Sequence, residues 1–150
     1  MNLKEKINND LKESLKKGDK IRLQTIRSIR ALILEFEKSG KDKELKPEDE
    51  IQLLTSASKK RKESLEQYTA AGRKDLADIE EAELKIIQEF LPKQLSEDEV
   101  KVEIKKLADE IGASTKVDFP KLMSAAIKAL KGQADGKMIK QVVENILSSD

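Results

Sequence analysis

Apolar residues recur along this chain every three or four positions, the spacing that lines one face of a helix. Leu3, Ile7, Leu11 and Leu15 predict a first amphipathic helix, ended by Gly18-Asp19. Asp19 is placed to cap a second helix, whose stripe Ile26, Ile29, Ile33 and Phe36 runs toward Ser39 and Gly40. A polar loop is expected from Lys41 to Lys46. Pro47 followed by Glu48, Asp49 and Glu50 reads as the first turn of a third helix, because proline needs no donor there and acids suit the positive dipole end. That helix is expected to reach about Ala71, with Gly72 as its stop, and a fourth to run from near Asp75 to before Pro92.

Leu91-Pro92-Lys93-Gln94-Leu95 breaks the pattern, and Ser96 with Glu99 has the spacing of a capping box that opens a fifth helix. A domain boundary is therefore expected here, giving an N-terminal part over residues 1–92 and a C-terminal part over 93–150. Val100, Ile104, Leu107, Ala108 and Ile111 mark the buried face of the fifth helix, and Gly112 ends it. Two shorter helices follow, from about Phe119 to Lys131 and from about Asp135 to Leu147. The fold class implied is all-α: an antiparallel helical bundle followed by a smaller three-helix lobe.

Composition sharpens this picture. Charged residues make up 39% of the chain and aromatics 3%, so the core is aliphatic and the strand formers are too scarce for a sheet. Cysteine and histidine are absent, which removes disulfides, thiolate nucleophiles, cysteine-ligated zinc and every triad built on imidazole. Ser64, Ser114 and Ser148 have no base placed by motif, and neither a Walker loop nor a dinucleotide fingerprint occurs. No catalytic residue, cofactor, metal or small-molecule substrate is therefore assigned. No apolar run is long enough for a signal peptide or membrane span, and a cytoplasmic protein is expected.

Net charge is +1, but it is sorted by element. Lys4 to Arg30 holds nine basic and four acidic residues, Lys116 to Lys140 six and two, and Asp75 to Glu89 one and six. Some of these charges stand in apolar stripes. The third helix carries Ile51, Leu54, Ser58, Arg61, Leu65 and Tyr68 at heptad-like spacing, and the fourth carries Leu76, Ile79, Glu83, Ile86 and Phe90. Arg22 lies one turn before Ile26. A desolvated charge is costly unless paired, so Glu83 is expected beside Arg61 or Arg22 in a structural ion pair; an anion site floored by the arginines is the alternative. Glu80 and Glu81 read as a solvated acidic face. So does the Lys59-Lys60-Arg61-Lys62 run, with Glu63 and Glu66 within helical reach and no interleaved aromatic for base stacking.

Lys131-Gly132-Gln133-Ala134-Asp135-Gly136-Lys137 stands apart. Its glycines permit a tight bend, Asp135 can cap the last helix, and Lys128, Lys131, Lys137 and Lys140 surround that helix start. Amides at a helix start with lysines around them can hold a phosphate of an RNA backbone; a well-capped turn is the structural alternative.

Arg61-Lys62-Glu63-Ser64, the run Ala71-Gly72-Arg73-Lys74-Asp75-Leu76-Ala77, Glu80 to Glu83 and Glu89-Phe90-Leu91-Pro92 resemble the central signature of YqeY-like proteins. Gly112-Ala113-Ser114 and Lys131 to Lys137 resemble their C-terminal signature. The resemblance covers essentially the whole chain, and it sets the segment after Pro92 beside the C-terminal tail domain of the tRNA-dependent amidotransferase B subunit. It implies a connection to tRNA, and an amidotransferase or another translation protein as partner. It does not imply amidotransferase activity, which belongs to other domains of that complex. The basic residues of the last lobe are all lysines here, so they would meet phosphate as point charges without the bidentate fork of arginine. A competing function is a helical protein-interaction adaptor without nucleic-acid binding, which the nearly balanced charge favours.

Overall fold

The computed structural model describes residues 1–40 and 44–147, and within them every regular element is helical. Residues 41–43 of the expected loop at 41–46, and Ser148, lie outside the described residues. The chain divides into two compact units, Met1–Leu91 and Pro92–Asp150.

The first unit holds α1 (Leu3–Lys17), α2 (Lys20–Lys38), α3 (Pro47–Ala70) and α4 (Lys74–Gln88). Their ends follow local chemistry. Asn2 and Glu5 form a reciprocal capping box on α1, with the Glu5 amide donating to Asn2 Oδ1 at 2.9 Å. Gly18 closes the helix at φ 69°, a left-handed conformation that costs a residue with a Cβ. Asp19 then accepts the Arg22 amide at 3.1 Å and starts α2. The Lys46 amide donates to Asp49 Oδ2, also at 3.1 Å, at the start of α3. α4 ends at Gln88, and the residues up to Pro92 form turns.

Packing within this unit is most extensive between α3 and α4, then between α1 and α2, and α2 joins the two hairpins chiefly through α4. Leu3, Ile7, Ile26, Ile29, Ile33, Leu54, Ala57 and Ile87 form the buried core. Each fully buried isoleucine or leucine contributes about 1.5–3 kcal/mol from apolar burial alone.

Two of the expected stripes are rotated. On α1, Leu15 is 53% exposed while Ser14 is buried. A strict four-residue repeat drifts around a helix, so Leu15 sits about 120° from Leu3, whereas Ser14, eleven residues on, returns to within about 20° of it. The inward line is Leu3, Ile7, Asp10 and Ser14. On α4, Ile79 is 40% exposed and Ile87 is fully buried. Viewed down the axis from Glu83, Ile87 and Glu80 lie about 40° and 60° to one side and Ile79 about 40° to the other. α4 packs on both α3 and α2, and that turns Glu80 inward and Ile79 outward.

The second unit holds α5 (Glu97–Ile111), a 3₁₀ turn (Lys116–Asp118), α6 (Phe119–Ala129) and α7 (Gly136–Ile146). Ser96 and Glu99 form the capping box of α5. The Ser114 and Thr115 amides both donate to Asp118 Oδ2, at 3.0 and 3.2 Å, which shapes the turn before α6 and holds the Asp118 carboxyl below its usual range. Val100, Ile104, Leu122, Ala126, Ile139, Val142 and Val143 centre the core. Ile127 of α6 is 46% exposed, beside the buried Ala126.

Candidate functional site

The α6–α7 connection is held from below by the segment that enters α5. Gln94 Nε2 donates to the Gly132 carbonyl at 2.6 Å, and the Leu95 amide donates to the Gln133 carbonyl at 2.9 Å. Gly132 takes φ 80°, which lets the chain turn between Leu130 and α7. Asp135 then caps α7, its Oδ1 accepting the Met138 amide at 2.8 Å. Gly136 and Lys137 are exposed, and their amides donate to no group among the described residues. Lys128, Lys131, Lys137 and Lys140 are exposed as well, and none forms an ion pair with a described residue. Lys128 and Lys131, and likewise Lys137 and Lys140, are three residues apart in sequence. For Lys137 and Lys140 on α7 this spacing shares a helix face.

The start of α7 is partly filled: the Asp135 carboxylate occupies the amide of the third helical residue and places negative charge there. The Gly136 and Lys137 amides remain as exposed backbone donors among the described residues.

A second polar constellation lies inside the first unit, where α2, α3 and α4 meet. Arg61 Nε lies 2.8 Å from Glu83 Oε2, and Arg61 Nη2 donates to Ser28 Oγ at 3.2 Å. Gln24 Nε2 donates to the other Glu83 oxygen, Oε1, at 3.2 Å. Glu83 is 5% exposed, so its charge is compensated almost wholly by these two partners.

Of the two arginines expected as alternatives beside Glu83, Arg61 takes that place and Arg22 does not join the group. Its Nε and Nη2 grip both oxygens of Asp10 at 2.7 Å, and its Nη1 meets Glu89 Oε2 at 2.7 Å. Glu89 lies six residues beyond Glu83 on the α4 path, about 9 Å away, so the two arginines hold different carboxylates of that segment. The bidentate hydrogen bonding from Arg22 holds the Asp10 carboxyl below its usual range against the opposing effect of burial, and raises the guanidinium's own pKa.

Glu80 is also misread as solvated. It is half-buried with Oε2 3.9 Å from Arg61 Nε, and that oxygen has no hydrogen-bond partner among the described residues. Burial raises its pKa first, the neighbouring Glu83 charge second, and Arg61 opposes both. Glu81 is exposed beside Lys85. Ser58 Oγ is buried without a hydrogen-bond partner among the described residues. Sequence reading also missed Gln24, Ser28 and Asp10. Asp10 carried a signal, since it follows Leu3 by seven residues and so returns to the same face.

Among the described residues no three histidine, cysteine, aspartate or glutamate side chains gather to hold a metal, and no helix is long and apolar enough to cross a membrane. Of the sequence-assigned residues, the structure brings Arg61 and Glu83 together, and it brings Asp135, Gly136 and Lys137 to one exposed helix start.

Residues 4–147 match the family described as Yqey-like protein. The chain belongs to the YqeY-like family. It is also similar to the altered inheritance of mitochondria protein 41 of Vanderwaltozyma polyspora, 38% identical over 85 residues. That match takes in 55% of this chain and 44% of the yeast protein, so the chain spans less than half of that relative's length. Within this YqeY-like chain, Ala71 to Arg73 forms the exposed α3–α4 turn and Lys74 to Ala77 the first turn of α4, with Arg73 Nη2 3.2 Å from Asp75 Oδ2. The Arg61 to Ser64 run begins with the arginine that holds Glu83.

Proposed function

We propose that this YqeY-like protein acts by binding and not by catalysis, and that its C-terminal unit contacts the phosphate backbone of tRNA through Lys128, Lys131, Lys137 and Lys140. The observation that carries the reading is that these four lysines, on the segments either side of the α7 start, are exposed and form no ion pair with a described residue. Exposed amides at Gly136 and Lys137 add two donors of the right polarity. The resemblance of this unit to the tail of the amidotransferase B subunit is what selects tRNA among polyanions. It also makes an amidotransferase the first partner to test. A cytoplasmic location belongs to the same proposal; the yeast relative is mitochondrial by name, and fractionation of a tagged chain decides.

Lysine contacts to phosphate release counterions, so affinity falls steeply with salt. Four contacts give a logarithmic slope of about −3.6, which is about a hundredfold loss between 50 and 200 mM salt. Fluorescence titration of tRNA at these two ionic strengths, with the wild-type chain and with the Lys128→Ala, Lys131→Ala, Lys137→Ala, Lys140→Ala quadruple variant, tests the reading. Binding that is undetectable at low salt, or that survives the quadruple change, refutes it.

A further inference from the structure

α2 and α3 run antiparallel but meet only slightly, because both pack on α4. Their diverging faces leave an open groove of about 800 Å³ within the first unit. Its floor is apolar, formed by Leu32, Phe36, Leu53 and Ala57. Its ends carry opposite charges: Glu35 and Asp49 stand at one end and Lys60 at the other, where the Arg61 guanidinium is already held by Glu83. Glu35 and Lys60 are exposed and form no ion pair with a described residue. From Asp49 to Lys60 the groove follows α3 for about 16 Å, or three helical turns.

We propose that this groove docks an amphipathic helix of a partner protein, about three turns long, with acids in its first turn and bases in its last. The apolar floor matches a stripe at i, i+3, i+4 and i+7. The charge polarity then sets direction. Helices ordinarily carry acids at the N-terminus and bases at the C-terminus, where their dipoles favour them. Such a helix puts its acidic start on Lys60 and its basic end on Glu35 and Asp49, so it lies antiparallel to α3 and parallel to α2. A small anionic amphiphile satisfies only the Lys60 end and leaves Glu35 and Asp49 against its tail. A second copy of the same concave face supplies no ridge to fill the groove. The inference is independent of the RNA reading, which rests on the other unit.

The test uses two synthetic fourteen-residue peptides of identical composition, one with acids first and bases last, the other reversed, measured by fluorescence anisotropy against the full chain. The forward peptide is expected to bind about tenfold more tightly than the reversed one, the scale of several exposed ion pairs. Ser56→Trp, an exposed position on the groove wall, abolishes binding while the thermal melt is unchanged. The Glu35→Lys, Lys60→Glu double variant inverts the preference, and the quadruple lysine variant of the C-terminal unit binds the forward peptide as the wild type does. The proposal is overturned if the peptides bind equally or not at all, if dodecanoate binds in their place, or if Ser56→Trp instead abolishes a self-association of the chain.

Discussion

Arg61 illustrates how a single side chain is assigned its role by depth. Its guanidinium holds Glu83 and Ser28 with α2, α3 and α4 around it, and Glu80 sits just beyond hydrogen-bonding range at 3.9 Å. Removing one partner of a buried pair strands the other, at a cost of about 3–5 kcal/mol. Glu83→Ala is therefore expected to lower the melting temperature by roughly 6–20 °C, at 2–4 °C per kcal/mol for a chain of this size. Glu83→Gln costs less, because the amide can keep the hydrogen bond from Gln24. A melt of Glu83→Ala that overlays the wild type would show that the pair carries no stability. Glu80 behaves in the opposite sense. Its folded-state pKa is raised, so the stability linked to it is complete below the usual carboxylate range and is lost as pH rises through the raised value. Glu80→Gln is expected to raise the melting temperature by about 1–2 °C at pH 7 and to leave it unchanged near pH 3, consistent with a gain on the order of 0.5 kcal/mol. Equal gains at both pH values would remove the carboxyl's charge as the cause.

At the level of elements, caps and stops act locally and so could be read from neighbours in sequence. Ser96 with Glu99, Asp19, Pro47 and Asp135 each start a helix where spacing predicts, and Gly18 and Gly112 end one. Nothing lies within 4 Å of a Cβ placed on Gly18, so a substitution there meets only backbone strain. Gly18→Ala is expected to cost about 1–2 kcal/mol, seen as a lower midpoint in urea with an unchanged slope. A changed slope would mean that the α1–α2 turn governs compactness as well. Which face a helix buries was less legible. Leu15 and Ile79 complete tidy apolar repeats and are exposed, while Ser14 and Glu80 are drawn in. Periodicity gives the helix and an approximate arc, but the centre of that arc depends on how many neighbours a helix packs against.

For the whole molecule, the division into Met1–Leu91 and Pro92–Asp150 separates the two candidate interaction surfaces. The exposed lysines belong to the second unit and the α2–α3 groove to the first. Each unit has its own aliphatic core. Fragments cut between Leu91 and Pro92 are accordingly expected to be helical by circular dichroism, the second melting lower because a domain of about 60 residues buries a smaller fraction of its surface. A second fragment without helical signal would show that its core needs the remainder of the chain.

The linear order of residues determined the helical class, the helix ends, the capped turn before α7 and the family signature, because each depends on groups within a few positions of one another. Tertiary structure decided which charges meet. Arg61 with Glu83, and Arg22 with Asp10 and Glu89, are pairs between different helices. Several acidic residues lie within plausible reach of each arginine in sequence terms, and only the axial offsets and rotations of the packed helices select among them.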